Sequence, residues 1–176
     1  MNIANKVTVL RLVLIPVFLI LYYNYGVSYN IAAIVFIIAS LTDALDGHLA
    51  RSKNLVTTFG KFVDPLVDKL LTMAAFVVLV ESSTIPAWAV IIIIARELTI
   101  TGFRTLAADK GITIAASKWG KLKTTSQMIS LVMLLLDNLK LNQLGVYVFY
   151  IAVLLTIISG LDYILKNKEV LDLENL

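Results

Sequence analysis

The sequence predicts an all-α, polytopic membrane protein with six transmembrane helices and a polar cavity open to the cytoplasm. Three observations predict it: the composition, six apolar segments of spanning length, and basic residues concentrated at every second break between them. Of 176 residues, 59% are hydrophobic, and the mean hydropathy is +0.89. A soluble domain averages about 45–50% apolar residues, so the excess points to lipid as the solvent. The length suits a single domain over residues 1–176. With three prolines and eight glycines there is no room for a long flexible linker. The absence of cysteine excludes disulfides and thiolate metal sites. The net charge of +3 is small, and no nucleic-acid partner is expected.

A bilayer core takes about 20 mostly apolar residues per helix. The first candidate, Val7–Tyr25, is interrupted by Arg11 and precedes no small-residue cleavage signature, so it is expected to persist as a helix. Tyr29–Arg51 and Phe59–Val80 follow, then Pro86–Leu106, Lys118–Leu136 and Gly145–Leu165. Turn-forming or charged residues mark the breaks: Gly26 and Asn30, Ser82–Ser83, Asp109–Gly111, and Asp137–Asn138. Orientation follows from the basic residues, because cytoplasmic loops carry the excess of lysine and arginine. Lys6 and Arg11 lie at the start, Arg51, Lys53 and Lys61 at the second break, and Lys166 and Lys168 near the end. Arg104, Lys110, Lys118, Lys121 and Lys123 crowd the fourth break. The first break has no charge, the third only Glu81, and the fifth only Asp137 and Lys140. Six spans with both termini in the cytoplasm fit this alternation.

Ionisable side chains cost about 2.5–3.5 kcal/mol near the centre of a membrane helix on insertion scales. Here Asp43, Asp46, Asp64, Asp68, Lys69, Arg96 and Glu97 all fall inside expected spans, toward their cytoplasmic halves. Positions three and four apart share a helix face. Asp43, Asp46, Gly47 and Ala50 therefore form one stripe, and Gly60, Asp64 and Asp68 form another on the next helix. A short connection makes the two helices antiparallel neighbours, with space opened by Gly47, Ala50 and Gly60. Four ionised carboxylates so close repel one another, and either some carry protons or cations neutralise them. Hard divalent cations are the simplest solution, and two could share four carboxylates. A structural hydrogen-bond network, or a proton relay in a small cation or proton-coupled transporter, would use the same residues.

The pattern Asp43-x-x-Asp46-Gly47-x-x-Ala50-Arg51, followed by Gly60-x-x-x-Asp64-x-x-x-Asp68, resembles the signature of the CDP-alcohol phosphotransferases, with every fixed position filled. The resemblance implies attack of an alcohol hydroxyl on the phosphorus of a CDP-linked substrate, with CMP leaving. It implies two Mg2+ or Mn2+ ions held by Asp43, Asp46, Asp64 and Asp68, Asp68 also accepting the hydroxyl proton. Gly47, Ala50, Arg51 and Gly60 would border the cytidine nucleotide, Arg51 pairing with phosphate. A homodimer in a bacterial plasma membrane, in contact with membrane lipids, is implied as well.

Two further segments narrow the resemblance. Arg96-Glu97-Leu98-x-Ile100-Thr101-Gly102-x-Arg104, together with Asn5-x-x-Thr8-x-x-Arg11, is similar to the family branch that joins glycerol 3-phosphate to CDP-diacylglycerol. Serine, inositol or inositol phosphate would be the acceptor in other branches. An anionic acceptor needs cations, and Arg104, Lys118, Lys121 and Lys123 are expected on the correct side. The three lysines could equally serve the charge bias or touch anionic headgroups. Glu97 is expected to pair with Arg96 or a neighbouring helix, and Lys69 to snorkel or pair with an aspartate. His48 occupies a variable position of the motif and is expected to be a bystander. The tail Asn167–Leu176 carries no chemistry the sequence identifies.

Overall fold

The computed structural model describes residues 3–52, 58–109, 111, 114 and 117–167. The side chains of residues 3–8, 29, 43–52, 58–66, 68 and 109 lie outside that description. The described residues form six α-helices and no strand: α1 (Ile3–Tyr25), α2 (Ile31–Ser52), α3 (Thr58–Glu81), α4 (Ala87–Asp109), α5 (Lys118–Leu135) and α6 (Leu139–Lys166). Each corresponds to one apolar segment of the sequence.

The turn residues do the work their chemistry suggests. Gly26 and Asn30 take positive φ values of 59° and 57° at the two ends of the α1–α2 connection. This left-handed conformation suits glycine and asparagine. Ser83 has φ 57° beyond α3, where the Thr84 amide donates back to the Leu79 carbonyl at 2.9 Å. The Ser117 hydroxyl caps α5 by accepting from the Gly120 amide at 3.0 Å. Asn138 caps α6 by accepting from the amides of Lys140 and Leu141, each at 3.1 Å. That cap explains why α6 starts at Leu139 rather than at Gly145: a good N-cap recruits a polar turn that hydropathy alone leaves in the loop.

Contacts between helix ends fix the up-and-down order. Tyr23 at the end of α1 donates to Glu81 at the end of α3 (2.6 Å). The Asp137 amide in the α5–α6 connection donates to Asn30 in the α1–α2 connection (2.6 Å). Trp88 in the first turn of α4 and Tyr150 in the first half of α6 pack at 6.4 Å between ring centroids. These ends share one side of the bundle, the closed end. At the other end, α4 meets α6 through Arg104 and Tyr163 and meets α5 through Glu97 and Lys123.

The main core draws on all six helices and is centred on Phe18, Phe36, Phe76 and Phe149, with Leu79, Ile93, Leu131 and Leu134. Ring pairs Phe18–Phe36 and Phe76–Phe149 lie at 6.0 and 5.9 Å. A smaller cluster of Ile100, Phe103, Ala107 and Tyr163 supports the opposite end. On α6 the buried Gly145, Phe149, Ala152, Thr156, Ser159 and Tyr163 face the bundle. Its other face leaves Leu144, Tyr147, Ile151, Leu154, Ile158, Leu161 and Leu165 exposed, a continuous apolar stripe at helical spacing.

Six spanning helices were expected. Among the described residues, α6 alone is long and apolar enough to cross a membrane by length and composition. The apolar runs Val9–Tyr25 and Ile31–Thr42 of α1 and α2 are shorter. Helix α4 carries Arg96, Glu97 and Arg104, and the first turns of α5 carry three lysines.

Candidate active site

Between α3, α4, α5 and α6, opposite the closed end, lies an open cavity of about 520 Å³. Its described lining includes five cations, Lys69, Arg96, Arg104, Lys121 and Lys123, and one carboxylate, Glu97. The excess of positive charge is the dominant property of this space.

The cations are held in different ways. Oε1 of Glu97 accepts from Arg96 Nη1 at 3.2 Å and also from Lys123 Nζ. Lys123 reaches it from α5 and is only 2% exposed, so this pairing offsets the cost of burying its charge. The sequence anticipated that Glu97 would pair with Arg96 or with a neighbouring helix; both pairings are present, and Lys123 of α5 is the partner it did not name. Lys69 donates to Thr101 Oγ1, whose hydroxyl donates in turn to the Glu97 carbonyl at 2.7 Å. Arg104 Nε donates to the Tyr163 hydroxyl at 3.0 Å.

A small residue leaves room for Arg96. A Cβ on Gly160 would lie 3.2 Å from Arg96 Cγ, and one on Gly120 would lie 3.9 Å from Arg96 Nη2. Gly160 on α6 is thus the glycine whose missing side chain makes room for the Arg96 stem, while Gly120 on α5 leaves only an ordinary contact with its tip.

A second cavity of about 420 Å³ lies deeper, among α1 to α5, and shares Lys69, Glu97, Lys123 and Thr124 with the first. Its inner wall is apolar, with Leu71, Phe76, Ile93 and Met128. Arg11, Ser40 and Gln127 add polar groups, and buried Gln127 donates to Thr156 at 3.2 Å. The two spaces therefore meet at a charged wall, apolar on one side and basic on the other.

The four aspartates are carried by the two helices the sequence assigned them: Asp43 and Asp46 by α2, Asp64 and Asp68 by α3. Their side chains, with those of Gly47, His48, Ala50, Arg51 and Gly60, lie outside the described residues, as do those of Asn5 and Thr8. The neighbourhood is nonetheless placed. Ala39, one helical turn before Asp43, lines the second cavity, as do Val67 and Lys69 on either side of Asp68 in the chain. Among the described residues no group of three or more histidine, cysteine, aspartate or glutamate side chains is suited to a metal.

Of the cations expected to meet an anionic acceptor, Arg104, Lys121 and Lys123 line the open cavity. Lys118 is exposed at the start of α5 and is not part of the lining. Arg11 is 7% exposed and lines the deeper cavity. Thr101 stood in the quoted segment without a role of its own, and Tyr163 escaped the sequence reading, since an uncharged side chain on an apolar helix gives no local signal. Tyr163 stands 59 positions from the arginine it contacts.

This arrangement, a basic cavity beside two aspartate-bearing helices, is joined by likeness to known proteins. The sequence pattern of the CDP-alcohol phosphatidyltransferases matches residues 1–158. The chain belongs to the CDP-alcohol phosphatidyltransferase family. It is 43% identical to the CDP-diacylglycerol–glycerol-3-phosphate 3-phosphatidyltransferase of Bacillus subtilis (strain 168), over 99% of each chain. It is 42% identical to the protein of the same name from Haemophilus influenzae, over 95% of this chain and 94% of the relative. A probable phosphatidylglycerophosphate synthase of Mycobacterium tuberculosis (strain H37Rv) is 39% identical, over 94% of this chain and 81% of the relative.

Proposed function

We propose that this protein transfers a phosphatidyl group from CDP-diacylglycerol to glycerol 3-phosphate, giving phosphatidylglycerophosphate and CMP. The observation that carries the choice of a phosphorylated acceptor, glycerol 3-phosphate or inositol phosphate over serine or inositol, is the open cavity with five cations against one carboxylate in its described lining. Serine and inositol carry no phosphate and would leave that excess unanswered. An acceptor bearing a phosphate monoester answers it. The names of the bacterial relatives support the same reading.

In this reading the acceptor hydroxyl oxygen forms the new bond to phosphorus, the pyrophosphate bond to CMP breaks, and Asp68 takes the hydroxyl proton. Gly47, Ala50, Arg51 and Gly60 border the nucleotide. Arg104 and Lys121 receive the acceptor phosphate, with Lys123 held behind them by Glu97. The donor set of Asp43, Asp46, Asp64 and Asp68 is all carboxylate, which fits Mg2+ or Mn2+ and suits two ions. Bound there, such ions would neutralise phosphate charge and stabilise the attacking and leaving oxygens. The deeper cavity, apolar behind its charged wall, suits an amphiphilic donor.

The bundle is read as membrane-embedded, with the basic end and both termini cytoplasmic. The exposed apolar stripe of α6 supports this, as do exposed Tyr23, Tyr25, Trp88, Tyr147 and Tyr150 grouped at the closed end. Single cysteines placed in this cysteine-free chain test it. A membrane-impermeant thiol reagent applied to intact cells should label Lys140→Cys and leave Lys118→Cys unlabelled. The reverse pattern inverts the orientation. A homodimer, part of the same reading through the family likeness, is tested by the mass of the protein in its detergent complex.

The decisive experiment is CMP release in micelles containing CDP-diacylglycerol and Mg2+, comparing glycerol 3-phosphate, serine, inositol, inositol phosphate and no acceptor. Release that requires glycerol 3-phosphate and disappears in Asp68→Asn is the expected result. Release with another acceptor keeps the chemistry and overturns the substrate. No release from folded, metal-supplied protein overturns the reaction and favours a transporter.

A further inference from the structure

We infer that Tyr163 is a positioning residue that orients the Arg104 guanidinium as a two-pronged receptor for the acceptor's phosphate monoester. The inference rests on the acceptor reading above and names the device that makes one cation of the cavity specific.

Tyr163 is a fixed post. It is 2% exposed, packs edge-on against Phe103 at 5.8 Å and 79°, and belongs to the small core with Ile100 and Ala107. Its hydroxyl accepts from Arg104 Nε at 3.0 Å, and the guanidinium carbon lies 5.5 Å from the ring centroid. A guanidinium can grip a phosphate through Nε and one terminal nitrogen, or through both terminal nitrogens. With Nε given to the phenol, the edge bearing both terminal nitrogens is the one left for a ligand.

The identity of the partner matters as much as the geometry. Arg96 and Lys123 share the carboxylate of Glu97, which offsets part of their charge locally. Among the described residues Arg104 has no carboxylate partner, and what holds it is a neutral hydroxyl. Orientation by a phenol keeps the full positive charge for an anion, whereas orientation by a carboxylate would spend it. Among the described residues Arg104 is thus aimed and without a countercharge in the lining of the open cavity.

The test uses the full-length protein in micelles, with CMP release as the readout and folding checked by the thermal midpoint. Tyr163→Phe keeps the ring and removes only the acceptor oxygen. It should raise the apparent KM for glycerol 3-phosphate about five- to tenfold, as the net worth of one ordinary hydrogen bond implies. Its kcat and its KM for CDP-diacylglycerol should stay within about twofold of the parent. Arg104→Ala should raise the acceptor KM further, by about 30-fold or more, and Tyr163→Phe should add nothing in that background.

An unchanged acceptor KM in Tyr163→Phe, with a raised one in Arg104→Ala, overturns the inference and leaves the acceptor reading standing. An unchanged acceptor KM in Arg104→Ala removes both. A general fall in kcat and thermal midpoint, with no preference for the acceptor KM, makes Tyr163 merely structural and also overturns the inference. Arg104→Lys supplies an independent check if Tyr163→Phe misfolds, because lysine keeps the charge but has no Nε–H for the phenol to hold. An acceptor KM nearly as high as in Arg104→Ala supports the inference, and a near-normal one overturns it.

Discussion

The two ends of the bundle are made from the same six helices but solve opposite problems. At the closed end the chain turns tightly, with Gly26, Asn30 and Ser83 in left-handed conformations, and helices approach until side chains touch. Gly145 on α6 lies so near α5 that a Cβ there would stand 3.0 Å from Met133 Cβ and 3.1 Å from Leu134. At the cavity end α6 carries a second close-approach glycine, Gly160, but what fills the gap is the stem of Arg96. One glycine serves helix packing, the other admits a charged side chain. The difference teaches that small residues on one helix can build a core at one level and a binding space at another. Which they do depends on the element opposite.

Substitutions at the two ends should separate accordingly. The largest effect belongs to the aspartates: Asp68→Asn should lower CMP release by about 10³-fold or more in protein that still folds, because the proposed chemistry makes Asp68 both a metal ligand and the proton acceptor. Retained activity would remove Asp68 from the chemistry.

Glu97→Ala should follow. It leaves Arg96 and buried Lys123 without their shared carboxylate, at a cost of about 3 kcal/mol, read as a lowered midpoint in thermal or denaturant unfolding. Adding Lys123→Met should recover much of that loss, since the more deeply buried of the two orphaned charges is then gone. No recovery would mean that Glu97 stabilises the fold by another route.

At the closed end, Gly145→Ala should destabilise by about 1–2 kcal/mol through overpacking against α5, with unchanged activity per folded molecule. Gly160→Ala should do the reverse, because its nearest contact is a looser 3.2 Å to Arg96 Cγ, and displacing that stem moves the guanidinium. It should have little effect on the unfolding midpoint and a measurable change in the acceptor KM. If both variants behave alike, the contrast between the two ends fails.

The smallest expected effect is at Asn30. Asn30→Ala removes the acceptor for the Asp137 amide at 2.6 Å and strains a φ of 57°, costing about 1 kcal/mol. Asn30→Gly, which restores the backbone freedom but not the hydrogen bond, should lose less. Equal losses would assign the whole effect to the hydrogen bond.

Much of the helix order was legible in advance because apolar length and turn chemistry are local. Gly26, Asn30, Ser83 and Gly111 all adopt positive φ at breaks that the sequence marked. The start of α6 was misjudged by the polar turn that Asn138 caps, since hydropathy does not register a cap. The aspartate signature was legible through its spacing, and family membership followed from it. Among the basic residues, charge alone put Lys118, Lys121, Lys123 and Arg104 on an equal footing. Their burial and partners then divided them: Lys118 lies outside the lining, Lys123 is tied to Glu97, and Arg104 is held by Tyr163.

The sequence by itself determined six helical segments, the side of the bundle that collects basic charge, and a carboxylate pattern of family-defining spacing. Each of these is written in residues close together along the chain, where a helical repeat or a turn preference acts directly. The tertiary structure decided which cations share Glu97, which glycine faces a guanidinium, and which tyrosine holds Arg104. Those pairings join α3 to α4, α4 to α5 and α4 to α6 across 26 to 59 positions. No local preference encodes them, because they exist only once burial removes water and each buried charge must find a partner.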